Sequence, residues 1–233
     1  GLFAEESCGS GGFSSVIHEA NLPIVVVSGF WRSGTSMLMG VLDRLQVGVH
    51  FSEETEFLNQ QWGASWKNSL FYEDQSLVEH GVDETGIVKH SLQGKAVKIF
   101  SYGFKVQAPS IKSRMLVLAC RRPLEDIIGS LEKAEWNPTS YDTDDLRAKG
   151  YDVDTFYPDA TLQKVSEKAR QTNLETDLEG ALDVRDVQFK ELLTDPETTI
   201  QGIVAFLRSH GFFADAGSSE MAGRIRSAVE FIR

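Results

Sequence analysis

A run of apolar, β-branched residues that stops at a glycine constrains this chain more than any other feature. Residues 24–27 have the composition of a buried strand, residues 29–34 form a glycine-bounded loop, and an amphipathic stretch begins at Thr35. The order is therefore strand, tight loop and helix start. A helix N-terminus presents unpaired N–H groups, and glycines let the backbone close around a ligand. The segment predicts a cradle for phosphate or sulfate.

The loop differs in its charge from a loop that binds nucleoside triphosphates. Gly29 and Gly34 have the spacing of a Walker A motif, but Thr35 stands where its lysine should be. The cation is instead Arg32, whose planar guanidinium suits a tetrahedral oxyanion. This exchange argues against an ordinary ATPase or GTPase. In an alternative interpretation the loop binds nothing, and Ser33 or Thr35 is simply the N-cap of the helix.

The same residues resemble the 5′-phosphosulfate loop of the PAPS-dependent sulfotransferases, where PAPS is 3′-phosphoadenosine 5′-phosphosulfate. The Arg-Ser-Gly-Thr-Ser variant is frequent in the carbohydrate and tyrosylprotein branches of that family. The resemblance implies a P-loop nucleoside triphosphate hydrolase-like fold and transfer of a sulfuryl group from PAPS to a hydroxyl or amine, releasing PAP. It also implies that six consecutive residues bind the cofactor: Trp31, Arg32, Ser33, Gly34, Thr35 and Ser36.

Strand and helix patterns alternate along the rest of the chain. This order predicts an α/β protein with three layers, in which helices cover both faces of a central parallel sheet. We expect a flexible leader at residues 1–20, a single domain at 21–233, and a polar loop on the acceptor side at 137–159. Strands are predicted at 22–28, 47–51, 95–100, 115–120 and 182–189, and helices at 35–45, 53–66, 69–80, from 123, and at 160–180, 198–209 and 220–232.

A second segment that resembles the family follows the predicted strand at 115–120. Arg122 and Ser130 are eight residues apart, like the family's arginine and serine that hold the 3′-phosphate of PAPS. Arg121 is the competing register, but it would put Gly129 at the serine position, so Arg122 is favoured. In an alternative interpretation both arginines are surface charges that pair with nearby acidic residues of a helix.

The acceptor base depends on a third resemblance. Residues 52–55, Ser-Glu-Glu-Thr, are similar to a Gly-Glu-Glu-Thr segment of the tyrosylprotein branch, and Glu54 matches its catalytic glutamate. The resemblance implies that Glu54 removes the acceptor proton while Arg32 and Lys98 stabilise charge on the sulfate and the leaving oxygen. Alternatively, the two glutamates occupy the first turn of a capped helix. His50 is a lesser candidate for the base.

Composition limits the partners. The net charge of −11 disfavours nucleic acid and polyanions, so a small-molecule or glycan acceptor is more plausible when neutral or cationic. The two cysteines, Cys8 and Cys120, form no disulfide framework, and the five histidines show no paired ligand spacing. We therefore expect no metal. No apolar run is long enough for a membrane span and no signal peptide is evident, which favours a cytoplasmic location.

Two other functions stay open from the sequence. One is a P-loop kinase or NTPase, which the threonine at the lysine position disfavours. The other is a catalytically degenerate nucleotide-binding module. That possibility has one observation in its support, because the sulfotransferases' late glycine-rich, basic loop has no counterpart in this chain. The oligomeric state is not indicated by any pattern.

Overall fold

The computed structural model describes residues 22–53, 55, 72–78, 80–133 and 162–233. Several predictions from the sequence therefore lie outside the described residues. They are the leader at 1–20, the base Glu54, most of the helix at 53–66, the start of the helix at 69–80, and the acceptor-side loop at 137–159. The helix predicted at 69–80 was too long, because the described residues 72–74 are not helical and the helix there is Gln75–Val78.

Five parallel strands form one central sheet in the order β2-β3-β1-β4-β5. The strands are β1 (Ile24–Ser28), β2 (Gly48–Val49), β3 (Lys95–Lys98), β4 (Met115–Arg121) and β5 (Asp183–Gln188). Val26 at the centre of β1 lies between Val97 of β3 and Val117 of β4. The predicted α/β class with an all-parallel sheet is confirmed, and every strand ends at the same edge.

The sequence of each strand follows its place in the sheet. All five residues of β1 are buried, as are the first six of β4, because both strands have neighbours on each side and helices above and below. The edge strand β5 is mostly exposed and carries Asp183, Arg185 and Asp186. Charged side chains on an edge strand disfavour pairing with another chain.

Helices occupy the connections between the strands, and three more follow the last strand. The described helices are α1 (Thr35–Arg44), α2 (Gln75–Val78), α3 (Glu84–Lys89), α4 (Ser101–Lys105), α5 (Pro109–Lys112), α6 (Leu124–Lys133), α7 (Leu162–Gln171), α8 (Leu174–Asp177), α9 (Phe189–Thr194), α10 (Pro196–Ser209) and α11 (Ser218–Ile232). No helix in these parts of the chain is long and apolar enough to cross a membrane.

The core has one apolar cluster on each face of the sheet. Val25 and Val27 of β1 point to the face covered by α1, α10 and α11. Ile24 and Val26 point to the opposite face, where Phe104 of α4 and Ile111 of α5 are buried. This alternation is the period of two that a strand imposes on its side chains. The helices cover the two faces of the sheet, so the loops that follow the strands lie at its carboxyl edge.

Some predicted helix boundaries were wrong. The stretch at 160–180 contains two helices, α7 and α8, because Asn173 leaves the helical conformation and its side chain accepts a hydrogen bond from Glu175 N. The helix predicted from residue 123 begins at Leu124, while Pro123 precedes it and accepts from the amides of the first turn. The helices α3, α4, α5 and α9 were not predicted, since four to six residues are too short to show a helical period.

Candidate functional site

The loop between β1 and α1 is closed by its own side chains. Ser33 Oγ donates a hydrogen bond to the carbonyl oxygen of Phe30 at 2.6 Å, and Ser33 N donates to the same oxygen at 3.1 Å. Gly34 is the N-cap of α1 with φ of 102°, and no side chain caps the helix. The interpretation in which Ser33 or Thr35 is the N-cap is therefore wrong. The first N–H groups of α1 lack intrahelical acceptors and face the loop.

Both glycines of the loop are in close contact with other elements. A β-carbon at Gly29 would lie 2.5 Å from Ser33 Oγ and 3.2 Å from the carbonyl oxygen of Cys120 on β4. A β-carbon at Gly34 would collide with the ring of Phe189, the first residue of α9. Burial raises the pKa of the Cys120 thiol to about 12, so it carries no charge beneath the loop at neutral pH.

Arg32 joins the loop to the helix after β4. Its backbone adopts φ of 64°, a left-handed conformation that non-glycine residues rarely adopt. Its Nε donates a hydrogen bond to Ser130 Oγ on α6 at 3.1 Å, across 98 residues of sequence. The guanidinium of Arg122 donates to the carbonyl oxygen of Arg32 at 2.7 Å. Two separate segments of the chain thus meet at the carboxyl edge, as their order in a parallel sheet allows.

Arg122 and Arg121 have different environments. Arg122 stacks on the ring of Phe189, with 4.6 Å from its central carbon to the ring centroid. Its Nε is buried and has no hydrogen-bond partner among the described residues. Burial lowers the pKa of Arg122 from its ordinary value, against an opposing effect of the negative charge of Asp126, and the charge of Arg32 lowers it further. Arg121 instead pairs with Asp186 of β5 at 2.8 Å, so Arg122 is the arginine that contacts the loop.

The alternative interpretation of these arginines does not fit the geometry. Within the part of the chain that the structure describes, neither Arg121 nor Arg122 forms an ion pair with Glu125 or Asp126. Two guanidinium groups and the hydroxyl of Ser130 instead lie side by side next to the loop. Such a group of donors can hold a phosphate monoester.

Lys98 brings a second cation to the start of α1. It ends β3, where it pairs with Val27 of β1, and it is only 3% exposed. Its Nζ donates to Ser36 Oγ at 3.0 Å and forms an ion pair with Glu73. The loop has Thr35 where a Walker A motif has its lysine, but a lysine from the neighbouring strand β3 reaches the same helix start.

Sequence reasoning missed Glu73, since the stretch around it was predicted only as a helix. Its carboxylate pairs with Lys98, and its backbone oxygen accepts from Ser52 N at 3.1 Å and from Thr55 Oγ1 at 2.5 Å. Ser52 and Thr55, on either side of Glu54, therefore both donate to the backbone of the residue that pairs with Lys98. The place of Glu73 within the helix predicted at 69–80 gave no sign of this role.

Aromatic side chains form the wall of the loop opposite α1. The ring of Trp31 meets the ring of Phe100 edge-on at 5.8 Å, and Tyr102 lies 5.7 Å from Phe100. The ammonium of Lys168 on α7 lies 3.6 Å from the centroid of the Tyr102 ring. A wall of this kind can stack against a flat ring or an apolar group.

The structure brings nearly all of the predicted site residues together at the carboxyl edge. They are Trp31, Arg32, Ser33, Gly34, Thr35, Ser36, Lys98, Arg122 and Ser130, while Glu54 lies outside the described residues. Phe189 and Glu73 are additions that the sequence did not suggest. No protein-family model matches the chain, and a search of curated proteins finds no significant match. Function is therefore argued from geometry.

Proposed function

We propose that this protein is a PAPS-dependent sulfotransferase with a P-loop-like fold. The observation that supports it most is the contact of Arg32 with Ser130 and of Arg122 with the carbonyl oxygen of Arg32. These contacts place a second group of hydrogen-bond donors for a phosphate beside the loop, with Ser130 about two helical turns beyond the end of β4. An ordinary nucleoside triphosphate has no 3′-phosphate that would need them.

The two ends of the donor have separate candidate partners. The N–H groups at the start of α1, Ser36 and Lys98 suit the 5′-phosphosulfate, since all present donors or positive charge at one place. Arg122 and Ser130 suit the 3′-phosphate. Among the described residues the buried Nε of Arg122 has no hydrogen-bond partner, which leaves one donor of this guanidinium unsatisfied next to the loop.

Sulfuryl transfer requires charge stabilisation and a base. The bond from sulfur to the phosphate oxygen breaks as the bond from sulfur to the acceptor oxygen forms, and the acceptor proton passes to a protein base. Arg32 and Lys98 supply positive charge for the transferred group and the leaving oxygen. Glu54 is the proposed base, because the segment around it is bonded to the backbone beside Lys98. The net charge of −11 favours a neutral or cationic small-molecule or glycan acceptor.

Calorimetry with PAP, AMP, ATP and GDP, with and without magnesium, tests this proposal. PAP should bind with micromolar affinity in the absence of metal. Ser130→Ala should weaken PAP by about tenfold, because it removes one hydrogen bond to a charged group. The same variant should leave the affinity for AMP unchanged, since AMP lacks the 3′-phosphate. Ser219→Ala, an exposed serine of α11, is the matched control and should bind PAP like the wild type.

Other outcomes would contradict the proposal in distinguishable ways. Magnesium-dependent binding of ATP in preference to PAP would identify a kinase or NTPase. No binding of any nucleotide would identify a degenerate module. Equal losses of PAP and AMP affinity in the Ser130 variant would remove Ser130 from the 3′-phosphate site.

A further inference from the structure

Three side chains with metal-binding atoms meet beside the Lys98–Glu73 pair. His50 Nε2 lies 2.8 Å from Asp74 Oδ2, and the imidazole rings of His50 and His90 are 4.8 Å apart between centroids. One ligand atom from each of the three residues lies within 4.8 Å of the other two. None of these residues has a place in the proposed donor site.

The three residues come from separate elements. His50 directly follows β2, Asp74 precedes α2, and His90 is the C-cap of α3. The backbone of His50 is fixed by a hydrogen bond from its amide to the carbonyl oxygen of Ala96 at 2.8 Å. No short spacing in the sequence could indicate this cluster, because long stretches of chain separate its members.

Asp74 is held so that one oxygen faces the histidines. It is 6% exposed, and its Oδ1 accepts hydrogen bonds from Ser76 N at 3.0 Å and from Ser76 Oγ at 2.5 Å. The other oxygen, Oδ2, points to His50. Partners of this kind orient a carboxylate for a metal ion and are typical of the outer shell of metal sites.

We propose that His50, Asp74 and His90 bind a divalent transition-metal ion of the Zn²⁺ class, with water as the fourth ligand. Two imidazoles and one carboxylate form a ligand set that such ions take, with bonds of about 2.1 Å. Ligand atoms of a tetrahedral zinc ion lie about 3.4 Å apart at that bond length. Rotation of the two imidazoles would bring the ligand atoms to that spacing, and the proton of the hydrogen bond between His50 Nε2 and Asp74 Oδ2 would pass to solvent as the metal binds.

The ion would fasten three elements next to the donor site. It would connect the end of β2 and the end of α3 to the segment that carries Asp74. The adjacent residue in that segment, Glu73, pairs with Lys98. The metal therefore stabilises the surroundings of Lys98 without contacting the nucleotide, and the inference does not depend on the proposed sulfotransferase activity.

Zinc titration of the chelator-treated full-length chain, without nucleotide, tests the site. A chromophoric chelator that competes for zinc should report one site with micromolar or tighter affinity. His50→Gln and His90→Gln should each weaken zinc by at least about tenfold, the scale on which even outer-shell changes act. Cobalt in place of zinc should give visible d–d absorption that both variants lose.

His210→Gln is the matched control. His210 Nε2 pairs with Asp183 Oδ2 at 3.0 Å, so it is a comparable histidine–aspartate pair, but it does not belong to the three-residue cluster. This variant should bind zinc like the wild type. His90→Ala provides a second variant at the third ligand, and far-ultraviolet circular dichroism checks that each variant is folded.

Two results would overturn the assignment. One is a wild-type chain that binds no zinc in the micromolar range. The other is zinc affinity that His50→Gln and His90→Gln leave unchanged, or that His210→Gln lowers equally, since the ion would then lie elsewhere. A rise in melting temperature with zinc that occurs in the wild type and not in the folded His90 variants supports the site.

Discussion

Lys98 shows how one buried charge is accommodated at the edge of this sheet. It is 3% exposed and the side chain of Glu73 is 13% exposed, so both charges have lost most of their water. Their ion pair and the hydrogen bond to Ser36 offset that loss. Breaking one partner of such a pair costs more than the pair contributes, because the other charge stays buried.

Lys98→Met should therefore lower the free energy of unfolding by about 3 kcal/mol, as measured by urea denaturation. The double variant Lys98→Met, Glu73→Gln should lose less than the single variant, since it removes both charges of the pair together. Arg170→Met breaks the exposed pair with Glu167, 53% and 59% exposed, and should change stability by less than about 1 kcal/mol. Equal losses in the two single variants would show that Lys98 is not an effectively buried charge.

At the scale of elements, the start of α1 requires a glycine, because its N-cap has a positive φ and a close neighbour and no side chain caps the helix. Gly34 is at φ of 102° and lies against Phe189, so any side chain there meets both strain and a ring. Gly129 of α6 is a contrasting case, because a β-carbon there would meet nothing within 4 Å. Gly34 therefore excludes a larger side chain, whereas Gly129 leaves room for one.

Gly34→Ala should lower the free energy of unfolding by about 2 kcal/mol or more, from the left-handed backbone and the contact with Phe189. Gly129→Ala should raise it by about 0.5–1 kcal/mol, because alanine restricts the unfolded chain and favours the helix. Thermal and urea denaturation of both variants measure these changes. A neutral effect at Gly34, or a loss at Gly129, would contradict the local geometry described above.

For the whole molecule, the strand order decides what meets at the carboxyl edge. Placing β1 between β3 and β4 puts the loop between Lys98 and Arg122. A protein with a net charge of −11 thereby gathers Arg32, Arg122 and Lys98 at one place. The field of such a local group can attract an anionic ligand although the protein as a whole is acidic.

The same order predicts how stability is distributed. Val26 and Val117 are completely buried in strands with two neighbours, whereas Val184 of the edge strand β5 is 40% exposed. In hydrogen exchange the amides of β1 and β4 should open only on global unfolding, and those of β5 should exchange through smaller openings. Exchange at Val184 as slow as at Val117 would contradict this distribution.

The parts predicted best are those governed by local chemistry. The buried runs of β1 and β4 and the glycine-bounded loop were predictable, because a hydrophobic run between turn residues has few alternatives. The short helices α3, α4 and α5 were not, since their stability comes from packing rather than from a periodic pattern. For the arginines, the sequence favoured Arg122 over Arg121, and in the structure Arg122 contacts the loop while Arg121 pairs with Asp186.

By itself the sequence predicted the α/β class, the parallel sheet and the loop at the end of β1, because the alternation of strand and helix patterns can be recognised segment by segment. Only the tertiary structure decided which distant side chains share a site. It joined Arg32 to Ser130, Lys98 to Glu73, and His50 to Asp74 and His90. The physical reason is that strand order, rather than sequence spacing, sets the distances along the edge of a sheet.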